Sequence, residues 1–415
     1  MRIARRHVIF LQGYDPRGRA AYYRMFRGEL RKFGALYGLA PRIGRPEVSP
    51  DDLVASWTID TEGEGWRTHT TYDFLRWEDL VQRDRNVPAW RTIPHALAIY
   101  GWLIVRGILF RFIKAHWRFA AFISYPYVAL LAEILAAAGI GFAAHAALAA
   151  LGLPGIVSAA LAIAAFAATL AGLVVKGEPY TYMLYLMADT IFTYQFAHGR
   201  RPDWNERVAR FASHLADVAR TTDADELVVV GHSSGSFLGV EIVARALEID
   251  PDLGRRHARI AFLTVGGNLP IVGFLPPART FRDHLRRLAV EPSIDWIDCQ
   301  SRKDVMNFFP FDPIAGHGLD VGTARRNPHV AIVRLRDLIT PARYNLFRWQ
   351  FFRVHFQFVM ANDRANAYDF FMIVCGPLSL AARMAQPELA LAIATGDEAA
   401  RMAAWDALDA PAPAE

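Results

Sequence analysis

The rhythm of apolar and polar positions changes several times along this chain, and each change marks a structural part. Residues 7–11 (His-Val-Ile-Phe-Leu) form a short apolar run that predicts a first strand, and residues 19–39 have the composition of a helix. A second strand is expected over 52–59, with a weak strand or turn region over 70–77. Further on, Val208, Phe211, Leu215 and Val218 recur on one face of a helix over 205–220. Residues 227–230 (Leu-Val-Val-Val) are β-branched and wholly apolar, as a strand buried on both faces must be. A helix follows over 236–249, then strands at 259–265 (ended by Gly266-Gly267), 294–299 and 329–335. Strands that alternate with helices predict an α/β fold with a mostly parallel sheet covered on both faces. No internal repeat is visible. From about residue 387 the chain is rich in alanine and predicts a helix that frays toward the end.

One stretch fits none of these rhythms. From 119 to 175 the only formal charge is Glu133, and two membrane spans of about 20 residues each need no more room than this. Spans are expected near 122–148 and 154–175, joined by a turn at 151–155 (Leu-Gly-Leu-Pro-Gly). The competing reading is a helical hairpin buried in a soluble core, but two successive helices apolar on every face belong in lipid. Arg106, Arg111, Lys114 and Arg118 precede the first span, Lys176 follows the second, and the turn has no cation. The positive-inside rule then puts both ends, and the globular parts, in the cytoplasm. Residues 93–118 mix Trp102, Phe110, Phe112 and Trp117 with those cations, which suits a helix lying among lipid headgroups. No role is assigned to Glu133 or His145 within the first span. The expected organisation is one globular domain in two pieces, 1–90 and 181–385, with an insertion at 91–180 and a tail at 386–415.

Composition adds limits. The chain has 415 residues, 53% of them hydrophobic and only 21% charged, with a net charge of +5. That length allows one large elaborated domain or two units. The arginines are scattered, so nothing resembles a nucleic-acid-binding stripe. Cys299 and Cys375 both sit in apolar runs without metal-ligand spacing, which suits a reducing compartment and indicates neither zinc nor a disulfide framework. No metal or organic cofactor is expected. Arg5-Arg6 invites a signal-peptide reading, but the apolar run after it ends at Gln12-Gly13 and is too short for one.

The chemistry concentrates at Gly231-His232-Ser233-Ser234-Gly235. The G-x-S-x-G pentapeptide alone is weak, since composition produces it in roughly one chain of this size in ten. A buried strand before it and a helix after it make it much stronger. Small residues allow the tight, strained turn that lifts one hydroxyl above a sheet, and this marks Ser233 as a nucleophile. The segment resembles the nucleophile elbow of the α/β-hydrolase fold. Arg302-Lys303-Asp304-Val305 is similar to that family's acid-bearing turn, and residues 7–14 are similar to its early strand and oxyanion loop. The resemblance covers some 300 residues outside the insertion; it is specific at the elbow and loose elsewhere.

It implies a serine esterase or lipase-like hydrolase whose nucleophile, acid and histidine follow in that order. Asp304 is the favoured acid, with Asp312, Asp298 and Asp320 as alternatives. Asp298 falls within a strand, and Asp312 precedes Pro313 in a turn-like segment. His355 is the favoured base, ahead of His317 and His329, although it stands about 20 residues beyond the last strand and is therefore expected on a helix. Its aromatic neighbours also suit a packed core histidine. His232 is expected to point away as a structural neighbour. The oxyanion hole would use the backbone N–H groups of Ser234 and Tyr14, with Gln12 where many relatives carry histidine. Membrane lipids and an amphiphilic ester are the expected partners. An acyltransferase would use the same residues with another acceptor, and a membrane scaffold with a vestigial elbow is the non-enzymatic alternative.

Overall fold

The computed structural model describes residues 1–256 and 258–409, so the last residues of the expected tail lie outside it. The chain divides into two compact units: Met1–Val81 with the chain from Ala197 onward, and Gln82–Phe196.

In the first unit, nine strands among the described residues form one sheet. They are β1 (Arg5–Leu11), β2 (Arg42–Ile43), β3 (Glu47–Val48), β4 (Val54–Gly63), β5 (Trp66–Leu75), β6 (Glu226–His232), β7 (Arg259–Val265), β8 (Ile294–Gln300) and β9 (His329–Ile332). The order is β2-β4-β5-β1-β6-β7-β8-β9, with β3 also pairing with β4. From β5 to β9 all neighbours are parallel, and β4 joins antiparallel through a hairpin to β5. The sheet is therefore mostly parallel, as the alternating pattern predicts. Pleating sends successive side chains to opposite faces. Val8, Phe10, Val228, Val230, Ala261 and Leu263 pack with Tyr22, Phe26, Leu30 and Phe33 of helix Arg19–Tyr37. Phe262 faces the other way, where a Cβ on Gly239 of helix Gly235–Ile249 would meet its ring at 2.8 Å. Helices thus cover both faces.

The strand β5 is a full ten-residue member of the sheet, where a weak strand or turn is expected over 70–77. Its buried threonines are satisfied: Thr68 Oγ1 donates to the Ile3 carbonyl and Thr70 Oγ1 to that of Val374. At the other edge β9 stops at Ile332, and a short helix, Leu335–Leu338, begins where the strand is expected to continue. Trp77 and Trp204 pack edge to face, and Arg207 forms a two-pronged ion pair with Asp79. These contacts join the chain segments that leave and re-enter the first unit.

The second unit is helical, with helices Ala89–Val105, Ile108–Ala150, Gly155–Thr181 and most of Met183–Ala197. It is wider than the expected insertion because Met183 and Met187 pack with Ala96, Leu130 and Val174 in one apolar cluster. Helices Ile108–Ala150 and Gly155–Thr181 are both long and apolar enough to cross a membrane. Little of their apolar surface is covered: Phe142 is 75% exposed and Ile156 83%. A soluble core helix would be covered. The 93–118 segment is bent rather than one straight helix, with Gly107 at φ 67° between two helices and non-helical backbone at His116.

Candidate functional site

The loops after β1, β6, β7 and β8 lie at one end of the sheet, because those strands run parallel. Ser233 directly follows β6 and has φ 58°, a left-handed conformation rarely tolerated by a residue with a Cβ. The turn is possible only because its flanks are glycine. A Cβ on Gly231 would lie 2.5 Å from the Gly235 carbonyl oxygen, and one on Gly235 would lie 2.4 Å from that of Leu11. Ser233 N–H donates to the Val265 carbonyl, and Ser236 Oγ donates back to the Ser233 carbonyl at 2.5 Å. Helix Gly235–Ile249 starts at once, with Ser234 as its N-cap residue. The first backbone N–H groups of a helix have no intrahelical partner and carry its positive dipole end.

The loop after β1 lies against this turn. A Cβ on Gly13 would sit 2.8 Å from Ser233 Cβ and 3.2 Å from its Oγ, so the chain entering Tyr14 passes beside the hydroxyl. Asp15 fixes the loop by accepting from Arg17 N–H, the Arg17 guanidinium and Tyr22 Oη, while Gln12 Nε2 donates to the Asp15 carbonyl. Arg17 also stacks over Phe356, at 4.7 Å from its ring centre.

Asp304 follows β8 in a loop braced by Asn307. The Asn307 side-chain amide donates to the carbonyls of Ser301 and Asp304 and accepts from Ser301 N–H. Asp304 Oδ1 accepts from Met306 N–H, and Oδ2 lies 2.7 Å from His355 Nδ1. Both side chains are buried, at 0% and 1% residue exposure. His355 lies near the end of helix Phe351–Phe356, a helical site as its distance from β9 implies. Its Nε2 is buried without a hydrogen-bond partner, Ser233 included.

The structure separates these residues from their alternatives. Asp298 is buried in β8, where it accepts from Thr264 and Gln300, and burial pushes its pKa up to about 6. Asp312 caps the turn at Ile314 and Ala315 and pairs with Arg325, and Asp320 is an exposed loop residue that accepts from Gly322 N–H. His317 packs among Phe274 and Phe311 and bonds the Pro313 carbonyl; His329 begins β9. His232 does not point away from the site. Its ring lies 4.6 Å from that of His355, and its Nε2 is 3.3 Å from the His355 carbonyl oxygen. Burial, with the adjacent His355, holds its pKa well below the usual histidine value, so the His232 ring stays neutral, and its Nε2 contacts the His355 backbone. Asn307 and Asp15 carry no sequence signal, because a lone loop amide or carboxylate gains its role only from the folded contacts.

No family model matches the chain, and neither a curated protein nor a solved structure matches it.

Proposed function

We propose that this chain is a membrane-anchored serine hydrolase of the α/β-hydrolase fold, acting on an ester of a lipid or other amphiphile. One observation carries the reading: a serine held at positive φ shares the end of a parallel sheet with a buried Asp304–His355 pair drawn from residues 51 apart. Ser233 Oγ attacks the ester carbonyl carbon while His355 Nε2 takes the hydroxyl proton. Asp304 keeps the other proton on Nδ1 and stabilises the imidazolium that forms. Backbone N–H groups of Ser234 and Tyr14 receive the oxyanion; donors of this kind are worth about 2.7–4 kcal/mol each. Collapse of the tetrahedral adduct expels the alcohol, which leaves with the proton from His355. Water, activated by the same imidazole, then releases the acid and restores Ser233.

The two long apolar helices form the anchor. Cations precede the first and follow the second and are absent from the turn, which supports a hydrolase unit on the cytoplasmic side. The test is ester turnover by the full chain in native membranes, with a short soluble ester and a long-chain lipid ester as substrates. The reading expects hydrolysis of both, lost in Ser233→Ala. Equal turnover by the variant would reject it, and acyl transfer to an added alcohol without released acid would identify an acyltransferase.

A further inference from the structure

Next to the base-bearing helix lies a surface of unusual composition. Helix Pro341–Phe347 and the residues leading to helix Phe351–Phe356 expose Leu346 and Trp349, at 75% and 76%. Cations surround the indole: Lys303 Nζ lies 4.6 Å and the Arg348 guanidinium 5.5 Å from the Trp349 ring centre, and Lys303 also approaches Tyr344. Residues 341–356 contain Arg343, Arg348 and Arg353 and no acidic residue. Arg343 is offset by Asp363, whereas exposed Arg348 and Arg353 form no ion pair among the described residues.

We infer that this face docks on an anionic bilayer surface, as a membrane contact separate from the helical hairpin. Protein–protein interfaces favour Trp and Arg but are depleted of Lys, and here Lys303 as well as Arg348 lies against the indole, with no acidic residue in 341–356. That is the arrangement of an interfacial anchor, in which an indole rests at headgroup depth and cations meet lipid phosphates. The two long apolar helices of the same chain are what would hold such a surface within reach. The contact lies where substrate recognition would use it: Lys303 adjoins Asp304, and Trp349 lies six residues before His355. Docking therefore engages both triad-bearing segments, a consequence that rests on the proposed hydrolase reading.

The experiment uses the full chain, as Leu346→Cys carrying an environment-sensitive fluorophore, in nanodiscs of phosphatidylcholine alone or mixed with phosphatidylglycerol. Cys299 and Cys375 are buried, so the added thiol takes the label. Lipids brominated near the headgroup should quench the label strongly in anionic discs, weakly in neutral ones, and less at high salt. Arg348→Gln should weaken docking about fivefold, the equivalent of one basic residue at an anionic surface. It should lower turnover of a long-chain ester in anionic discs and leave turnover of a short soluble ester unchanged. Quenching independent of lipid charge and of Arg348 would overturn the inference. So would a label shielded from lipid only when two copies share a disc, which would identify a chain–chain interface. Absence of all ester turnover alongside charge-dependent quenching would reject the hydrolase reading and leave the docking face standing.

Discussion

Replacing Asp304 by asparagine is the most discriminating single change at this site, because its outcome follows from two hydrogen bonds. Asp304 Oδ1 accepts from Met306 N–H, and Oδ2 meets His355 Nδ1 at 2.7 Å. An asparagine there must keep its carbonyl on Met306 N–H, which turns its NH₂ toward His355. His355 Nδ1 can then only accept, so its proton moves to Nε2, the nitrogen that must take the Ser233 proton. Loss of a charge-assisted hydrogen bond alone costs about 1.5–3 kcal/mol, a factor of roughly 10 to 150. Loss of the working tautomer costs about four powers of ten, equivalent to about 5.5 kcal/mol of transition-state stabilisation. The tautomer effect should win. Measured as kcat and KM on a short soluble ester, Asp304→Asn is expected to lose about 10⁴ in kcat with little change in KM. The double variant with His355→Ala should be little worse than His355→Ala alone, since the members act as a unit. Thermal melting would verify that each variant folds. Near-normal turnover in Asp304→Asn, with an inactive Asp312→Asn, would refute the acid assignment.

Three further outcomes are expected. Ser236→Ala removes the donor to the Ser233 carbonyl and an acceptor for Asn268 N–H, so it should keep covalent reactivity at Ser233 but lose about 1–3 kcal/mol of stability by denaturant titration. Replacing residues 120–176 with a short linker should leave hydrolysis of a short ester, because Trp77–Trp204 and Asp79–Arg207 still close the first unit; the shortened protein should lose integral behaviour in carbonate extraction, whereas quantitative release of the full chain would refute the anchor. Although burial pushes the pKa of Asp73 up, hydrogen bonds from His214, His7 and Ser56 hold it well below its ordinary 3.8. The unfolded chain takes up this proton first, so stability present above about pH 4 should fall on acidification in wild type, and a pH titration of unfolding should show a smaller fall in Asp73→Asn.

Some of this architecture can be read from residues alone and some cannot, for physical reasons. The turn at Ser233 is legible because its backbone demands act locally: a buried strand, two glycines that admit passing carbonyls, and an immediate helix. The two long apolar helices are legible for a similar reason, since a composition fit to cross a membrane is carried by every residue of the segment. β5 is obscured because its threonines are satisfied by the distant Ile3 and Val374 carbonyls, which no local pattern announces. The connection from β9 to His355 breaks into short helices at Leu335–Leu338, Pro341–Phe347 and Phe351–Phe356, too brief to show a clear period. His232 is a structural neighbour as its place in the turn implies, but its direction is not legible locally. Its ring lies beside that of His355 because a segment 123 residues away folds back over the turn.

The central claim is that Ser233 is an activated nucleophile. The most direct measurement is labelling of the native full chain with a fluorophosphonate, followed by peptide mapping of the adduct. The account predicts one stoichiometric adduct on Ser233, abolished by heat denaturation and by Ser233→Ala, and retained in Ser234→Ala. Absence of label on the native protein, or label that persists in Ser233→Ala, would contradict it.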